Sequence, residues 1–241
     1  KLRFAPGVFQ VLLLAALFLA ADLWFYHRSI EYIGPGLSTL IANFQVFVMA
    51  AAGIVILREP PTATQIVAIP LALFGLALIV GVDWQALAAE YRRGILFGLG
   101  AAVTYAGYLL SMRHARREPR NRVPSREIAI VSLAGAAMLG ATALAEGESL
   151  AVSQGGDIIW LVFYGVLSHG VGMLFITSSL PHVTTTQAGL ALLLQPTLSF
   201  AWDVLFFDRS MKPAELGGAA IALFAIYLGS RARSEQAQRA R

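Results

Sequence analysis

"LALFGLALIV", Leu71–Val80, and "IALFAIYLGS", Ile221–Ser230, carry the same tripeptide, Ala-Leu-Phe, at positions 72–74 and 222–224. Both lie inside long apolar runs, and they stand 150 residues apart. Sliding the chain over itself by that distance, without a gap, superposes Leu17 on Leu167, Phe25 on Phe175 and Ser29 on Ser179. It also superposes Leu40 on Leu190, Gln45 on Gln195 and Ala51 on Ala201. The boundaries of the apolar runs coincide as well. Such self-similarity at a fixed offset is the mark of a repeated architecture.

The runs themselves set the fold class. The chain has 241 residues, 57% hydrophobic and 13% charged, with a mean hydropathy of +0.68. A soluble domain carries about 25% charged residues, so too few are present to cover a water-facing surface. An all-α integral membrane protein follows, because lipid forces backbone polar groups to pair within each segment. A helix needs about 20 mainly apolar residues to cross the hydrocarbon core. Eight stretches qualify, 8–27, 36–57, 64–82, 94–112, 127–145, 158–180, 184–206 and 214–230, here called spans A to H. The start resembles a signal peptide, but its apolar run continues past Ala21 to Tyr26 and further spans follow, which suits a first span better. The absence of cysteine excludes disulfides, thiol catalysis and zinc-thiolate sites.

Charge orients the spans. Alternating the connectors assigns Lys1, Arg3, Arg58, the six arginines from Arg113 to Arg126, and Arg231, Arg233, Arg239 and Arg241 to one side. That side holds 13 basic residues; the other holds 5, namely Arg28, Arg92, Arg93, Arg209 and Lys212. The positive-inside rule makes the first side cytoplasmic, with both ends of the chain there. The formal charge of +4 thus reads as membrane orientation, not as nucleic-acid binding. The Arg113–Arg126 cluster fixes topology and suits anionic lipid.

Span F lies five spans after span A, so the two copies of the repeat cross in opposite directions. Inverted repeats are typical of secondary transporters, whose sites lie near the midplane at the repeat interface. Spans D to H form a complete five-helix unit over 94–230, whereas residues 1–82 hold three helices of the first unit. Two preceding N-terminal helices are therefore expected to be missing, for ten in the whole protein. Residues 231–241 form a basic cytoplasmic tail.

Polar residues inside the spans are the candidate site. Gln45 and Gln195 occupy the same repeat position, near the centres of spans B and G. An amide buried in hydrocarbon needs partners, and it can meet a carboxylate with N–H and an ammonium with C=O. Interhelical hydrogen bonding is the competing reading. On span G, Gln187, Ala191, Gln195, Ser199 and Trp202 form one stripe at helical spacing. On span D, Thr104, Tyr108 and Ser111 form another, with Tyr105 beside it, and Gly94, Gly98, Ala102 and Ala106 form an opposite close-packing row. Aromatic rings here suit an apolar or aromatic ligand, or plain packing.

In "FYGVLSHGVGMLF", Phe163–Phe175, His169 is an ionisable group in mid-span. It reads as a substrate contact, a proton relay or a carbonyl-bonded packing residue. Gly170 and Gly172 weaken the helix beside it. Trp24, Tyr26 and His27 close span A on the outer side, as gate contacts or as an interfacial belt. Asn43 adjoins Gln45 in "NFQVF". Asp22 and Asp203, a turn or more inside their helices, read as coupling carboxylates or as hydrogen-bonded or cavity-facing structural groups.

"ILREPPTATQIVAIPLALFGLALIVG", with Glu59, Thr62, Gln65 and Gly75, resembles the end of an EamA-type repeat of the drug/metabolite transporter superfamily. "LLLQPTLSFAWDVLFFDRSMKPAELGGAAIALFAIYLG" resembles it again, with mid-helix Pro196 and with Asp208 near the acidic position. Span B has no proline at the matching place, so no proline kink is expected there. The aromatic-rich "DLWFYHRSIEY" resembles exporters of the aromatic amino-acid exporter (YddG) type. The resemblance implies a bacterial inner-membrane protein exporting amino acids, aromatic or apolar, and related metabolites by alternating access. Its expected partners are a small-molecule substrate and the bilayer, without nucleic acid, and a monomer is expected.

A membrane-embedded enzyme acting on a lipid or small apolar substrate is the alternative. Against it, the chain has no H-E-x-x-H, no G-x-S-x-G and no His/Asp/Glu cluster at metal spacing. His27, His114, His169 and His182 fall at different depths, so neither a metal nor a cofactor is expected. A channel or receptor lacks a selectivity motif or sensory domain.

Overall fold

The computed structural model describes residues 7–55, 63–80, 88–115, 124–151, 155–172, 175, 206 and 212–239. Every regular element among them is helical: α1 (Val8–Ile33), α2 (Pro35–Ala42), α3 (Gln45–Val55), α4 (Ala63–Val80), α5 (Ala89–Ala115), α6 (Pro124–Ala145) and α7 (Gly155–Phe163). A π-helical segment, Tyr164–Gly172, follows α7, and α8 spans Pro213–Arg239. Val8–Ile33, Ala89–Met112 and Ser125–Ala145 are long and apolar enough to cross a membrane. Span G, apart from Phe206, lies outside the described residues.

Three elements depart from the expected boundaries for local reasons. Span A was expected to end at His27, but α1 continues to Ile33. Its extra turns hold an Arg28–Glu31 pair at 3.3 Å, and the Arg28 guanidinium lies over the Trp24 ring at 5.7 Å. Gly34, at φ 78°, then turns the chain through a backbone region that side chains disfavour. Pro35 opens α2, where its missing N–H has no partner to lose.

Span B was expected to be one helix over 36–57 and is instead two, broken at Asn43–Phe44. No proline is needed. The Asn43 side-chain amide donates to the Thr39 carbonyl at 2.8 Å, beside the Asn43 backbone N–H at 3.1 Å. Phe44 N–H then reaches only three residues back, to the Ile41 carbonyl at 3.0 Å. Asparagine in a helix competes for backbone groups in this way. The third departure is at span F, whose described part begins at Gly155 and winds as a π-helix through His169. At the other end of the chain α8 runs on to Arg239, so much of the expected basic tail is helical.

The chain sorts into two compact units, residues 1–20 with 107–182, and residues 21–106 with 183–241. In the first, the Phe18 ring lies where a Cβ on Gly107 would meet it at 2.8 Å, and Gly135 packs over the Ala16 carbonyl.

In the second unit α1 and α5 run antiparallel at close range. A Cβ on Gly94 would sit 2.6 Å from Ile33, and one on Gly98 would sit 3.1 Å from the Ser29 hydroxyl and 2.8 Å from Ile41. As α5 advances from Gly94 to Gly98, α1 retreats from Ile33 to Ser29. The small-residue row of α5 is thus a packing seam, with Ala102 and Ala106 fully buried beyond the glycines. Small residues let helices approach where lipid provides no hydrophobic drive.

Helices α4 and α8 pair in the same fashion. A Cβ on Gly75 would lie 2.7 Å from the Ala222 backbone nitrogen and 2.8 Å from the Gly218 carbonyl. Ala72 and Ala225, both fully buried, share one core cluster with Phe44 and Ala102. Moving forward along α4 from Ala72 to Gly75 therefore moves backward along α8 from Ala225 to Ala222. The two helices are antiparallel.

Candidate functional site

Along α1 the residues Leu12, Ala15, Leu19, Asp22, Tyr26, Ser29 and Ile33 alternate three and four apart, the spacing of a helix–helix seam. All but Tyr26 are buried, and Tyr26 is half-buried. The first three are apolar and the next three polar. Because α1 extends to Ile33, Asp22 stands 14 residues after Val8 and 11 before Ile33, close to the helix midpoint.

The polar half of the seam is tied to its neighbours. The Ser29 hydroxyl lies 2.9 Å from both Ser38 Oγ of α2 and the Gly94 carbonyl of α5, so its one proton is shared between the two acceptors. Ser38 in turn donates to the Gly34 carbonyl at 2.7 Å. Tyr26 Oη lies 2.6 Å from Thr39 Oγ1. Thr39 donates its own proton to the Pro35 carbonyl at 2.7 Å, so Tyr26 is the donor in that pair. These bonds join α1, α2 and α5 on the face that Asp22 shares.

One step further along the seam stands Asp22. Continuing the α1–α5 register from Ile33/Gly94 and Ser29/Gly98 places Tyr105 opposite Asp22. The Asn43–Phe44 break interrupts span B, and Phe44 packs in the cluster of Ala102, one turn before Tyr105 on α5. Asp22 is 8% exposed and accepts no hydrogen bond among the described residues. Asn43, buried, spends its amide N–H on Thr39, and the half-buried Gln45 amide makes no hydrogen bond among the described residues.

Of the residues picked from sequence, Tyr105 stands across the α1–α5 seam from Asp22, which the sequence reading had set nearer the outer end. The seam spacing from Leu12 to Ile33 was the signal that could have found it. Trp24 and His27 lie on other faces of α1. Trp24 stands edge-on to Phe25 and Phe97, at 5.2 and 5.7 Å, in an aromatic group completed by Tyr32 stacked on Phe97 at 5.8 Å. His27 is exposed and donates from Nδ1 to the Leu23 carbonyl at 2.7 Å.

In the first unit Tyr108 is buried, and so is Ser111, which donates to the Gly107 carbonyl. Thr104, in the second unit, likewise donates to its own helix at Gly100. The Thr104 and Ser111 hydroxyls of the expected stripe on α5 are thus satisfied within that helix. His169 falls in the π-helical segment, and its side chain lies outside the described residues. Gln195, Ser199 and Trp202 also lie outside them. Gly170 and Gly172 meet only the helix's own carbonyls, of Gly165 at 3.6 Å and Leu167 at 3.5 Å. A π-turn among glycines is a common feature of functional helices.

Comparison with known proteins gives a consistent picture. The model of the EamA-like transporter family matches residues 92–231. The chain is 25% identical over 192 residues to the "Uncharacterized inner membrane transporter YhbE" of Escherichia coli K12, covering 77% of this chain and 59% of YhbE. The chain therefore spans well under two thirds of that relative's length. An "Uncharacterized transporter" of Haemophilus influenzae is 24% identical over 105 residues, 43% of this chain and 34% of its own. A protein crystal structure shares the fold at a TM-score of 0.58 and 20% identity, covering 99% of this chain and 78% of that one.

Proposed function

This chain belongs to the EamA-like transporter family, and from that premise we propose that it exports amino acids and related small metabolites across a bacterial inner membrane. The route is a midplane cavity reached by alternating access. The observation that carries this reading is the broken span B. Transporters of small solutes place their sites where a spanning helix is interrupted and irregular backbone lines a cavity. Here the interruption at Asn43–Phe44 is followed at once by Gln45, whose amide makes no hydrogen bond among the described residues.

The antiparallel pairing of α4 and α8 supports an inverted repeat. Under the 150-residue offset Ala72 corresponds to Ala222 and Gly75 to Ala225. The pairing of Gly75 with Ala222 then has the proximity of Ala72 and Ala225 as its own counterpart. Self-matching contacts of this kind belong to an interface with two-fold character. With the repeat come eight crossings in this chain, both ends in the cytoplasm, and Gln195, Ser199, Trp202 and His169 lining the cavity from the second copy. The aromatic amino-acid exporter (YddG) type remains the proposed subtype, and an aromatic or apolar side chain the proposed substrate character.

Counterflow of labelled amino acids into liposomes holding the full-length protein tests the reading. Exchange dependent on internal substrate supports it, and Gln195→Leu or Gln45→Leu abolishes most of that exchange in protein that still folds. Absence of counterflow across an amino-acid panel, with substrate turned over instead, would move the protein to the enzymes.

A further inference from the structure

A second face of α1 runs beside the buried seam. Leu14, Leu17, Ala21, Trp24, Arg28 and Tyr32 recur three or four apart along it, and none of them is buried among the described residues. Leu14 and Leu17, each about half exposed, make its first part apolar. Its far part changes character, to Trp24, then Arg28 with its guanidinium 5.7 Å over the Trp24 ring, then Tyr32. On α5 the exposed residues Val103, Leu96 and Arg93 follow the same order toward the same end. They do so because the two helices are antiparallel and Gly94 abuts Tyr32. Phe97, one turn after Arg93, joins the two rows: Tyr32 stacks on it at 5.8 Å and Trp24 meets it edge-on at 5.7 Å.

That order suits a surface facing lipid. From Val8 to Phe25, α1 rises about 27 Å at about 1.5 Å per residue, close to the ~30 Å of a hydrocarbon core. Trp24 then falls at the boundary, and Arg28, Glu31 and Tyr32 beyond it. Tryptophan and tyrosine collect at that level, and arginine lays its stem along apolar surface while its head reaches the polar layer. The charged groups described at this end are Arg28, Arg92 and Arg93 against Glu31 and Glu90, a balance of one positive charge. Glu31 is engaged with Arg28 at 3.3 Å, and Arg93 is exposed. We propose that the Trp24–Tyr32–Phe97 surface is the docking site of an anionic glycerophospholipid, with its phosphate on Arg93 and its upper acyl chain against Trp24 and Phe97. This assigns Trp24 to the lipid boundary, and it holds whatever solute the protein moves.

The test uses the full-length protein with Trp24 as its sole tryptophan, in nanodiscs of phosphatidylcholine. Spin-labelled phosphatidylglycerol or phosphatidylcholine is added, with the label near the headgroup end of the acyl chain or near its methyl end. The shallow label should quench Trp24 fluorescence more than the deep one. Among shallow labels, phosphatidylglycerol should be enriched over phosphatidylcholine by about fivefold, the worth of one arginine near anionic lipid. Arg93→Gln should remove most of that enrichment while the shallow label still quenches more than the deep one, which shows that Trp24 keeps its place. Stronger quenching by the deep label would overturn the proposal, since Trp24 would then lie inside the core. Quenching by neither label would overturn it too, because protein would cover this face. Equal quenching by the two headgroups, enrichment that survives Arg93→Gln, or displacement of phosphatidylglycerol by inorganic phosphate would each do the same, the last by making this a site for soluble anions.

Discussion

Gly75→Ala is the substitution in which the helix pairing makes its sharpest claim. The added methyl would stand 2.7 Å from the Ala222 nitrogen, 2.8 Å from the Gly218 oxygen and 3.1 Å from the Ala222 Cα, all backbone atoms. No rotamer change relieves such a contact, so α4 and α8 must separate by roughly 0.7 Å to reach ordinary packing distance. Overpacking of that order costs about 1–3 kcal/mol, against which alanine returns up to about 1 kcal/mol of helix propensity. The internal control is Gly140→Ala in α6, where a Cβ meets nothing within 4 Å. It carries the propensity gain alone and is expected to be neutral or to stabilise by up to about 1 kcal/mol. Unfolding the full-length protein in mixed micelles of mild detergent and dodecyl sulfate compares the two directly. We expect Gly75→Ala to unfold at a clearly lower dodecyl sulfate fraction than Gly140→Ala. Equal midpoints would mean that α4 and α8 do not approach as described, and the self-matching contact that supports the inverted repeat would fall with them.

Three further outcomes follow from the hydroxyl ties and the break. Ser29→Ala removes the hydroxyl ties to Ser38 and Gly94 at a fully buried position and should lower stability by about 1 kcal/mol in the same titration, the usual net worth of a buried hydrogen bond. Tyr26→Phe deletes the donor to Thr39 and should cost about 1 kcal/mol, with amide exchange in α2 speeding correspondingly. Gln45→Leu removes an amide that bonds nothing among the described residues, so stability should hold while counterflow drops severalfold; a matched loss of both would assign Gln45 to interhelical bonding.

Much of the fold was legible because hydropathy reports length and burial without regard to partners. Spans A, C, D, E and H each contain a helix, and the Gly94–Ala106 row packs as its spacing implied. The boundaries that moved did so through local chemistry that a hydropathy window averages away. Arg28 and Glu31 looked like the end of a span, yet they pair across a helical turn and let α1 run on to Ile33. Likewise the π-helical segment keeps the apolar character of span F, and only its winding differs, to which a 3.6-residue pattern is blind.

The break in span B shows the same limit and what it conceals. The sequence pointed to proline as the device that interrupts such a helix, and its absence argued for continuity. The interruption is made instead by an asparagine whose amide takes the Thr39 carbonyl, a contact visible only once the two residues are known to share a turn. That turn in turn fixes where Gln45 begins a new helix, and the length of α1 fixes where Asp22 stands. Neither residue changes its chemistry between the linear and the folded reading. What the linear reading lacks is the alignment of the two arms, which Gly34 makes by reversing the chain and the Ser29–Ser38 bond fixes in register. Gly34→Ala should accordingly lower stability by about 1–2 kcal/mol in the dodecyl sulfate titration, because a Cβ is disfavoured at φ 78°.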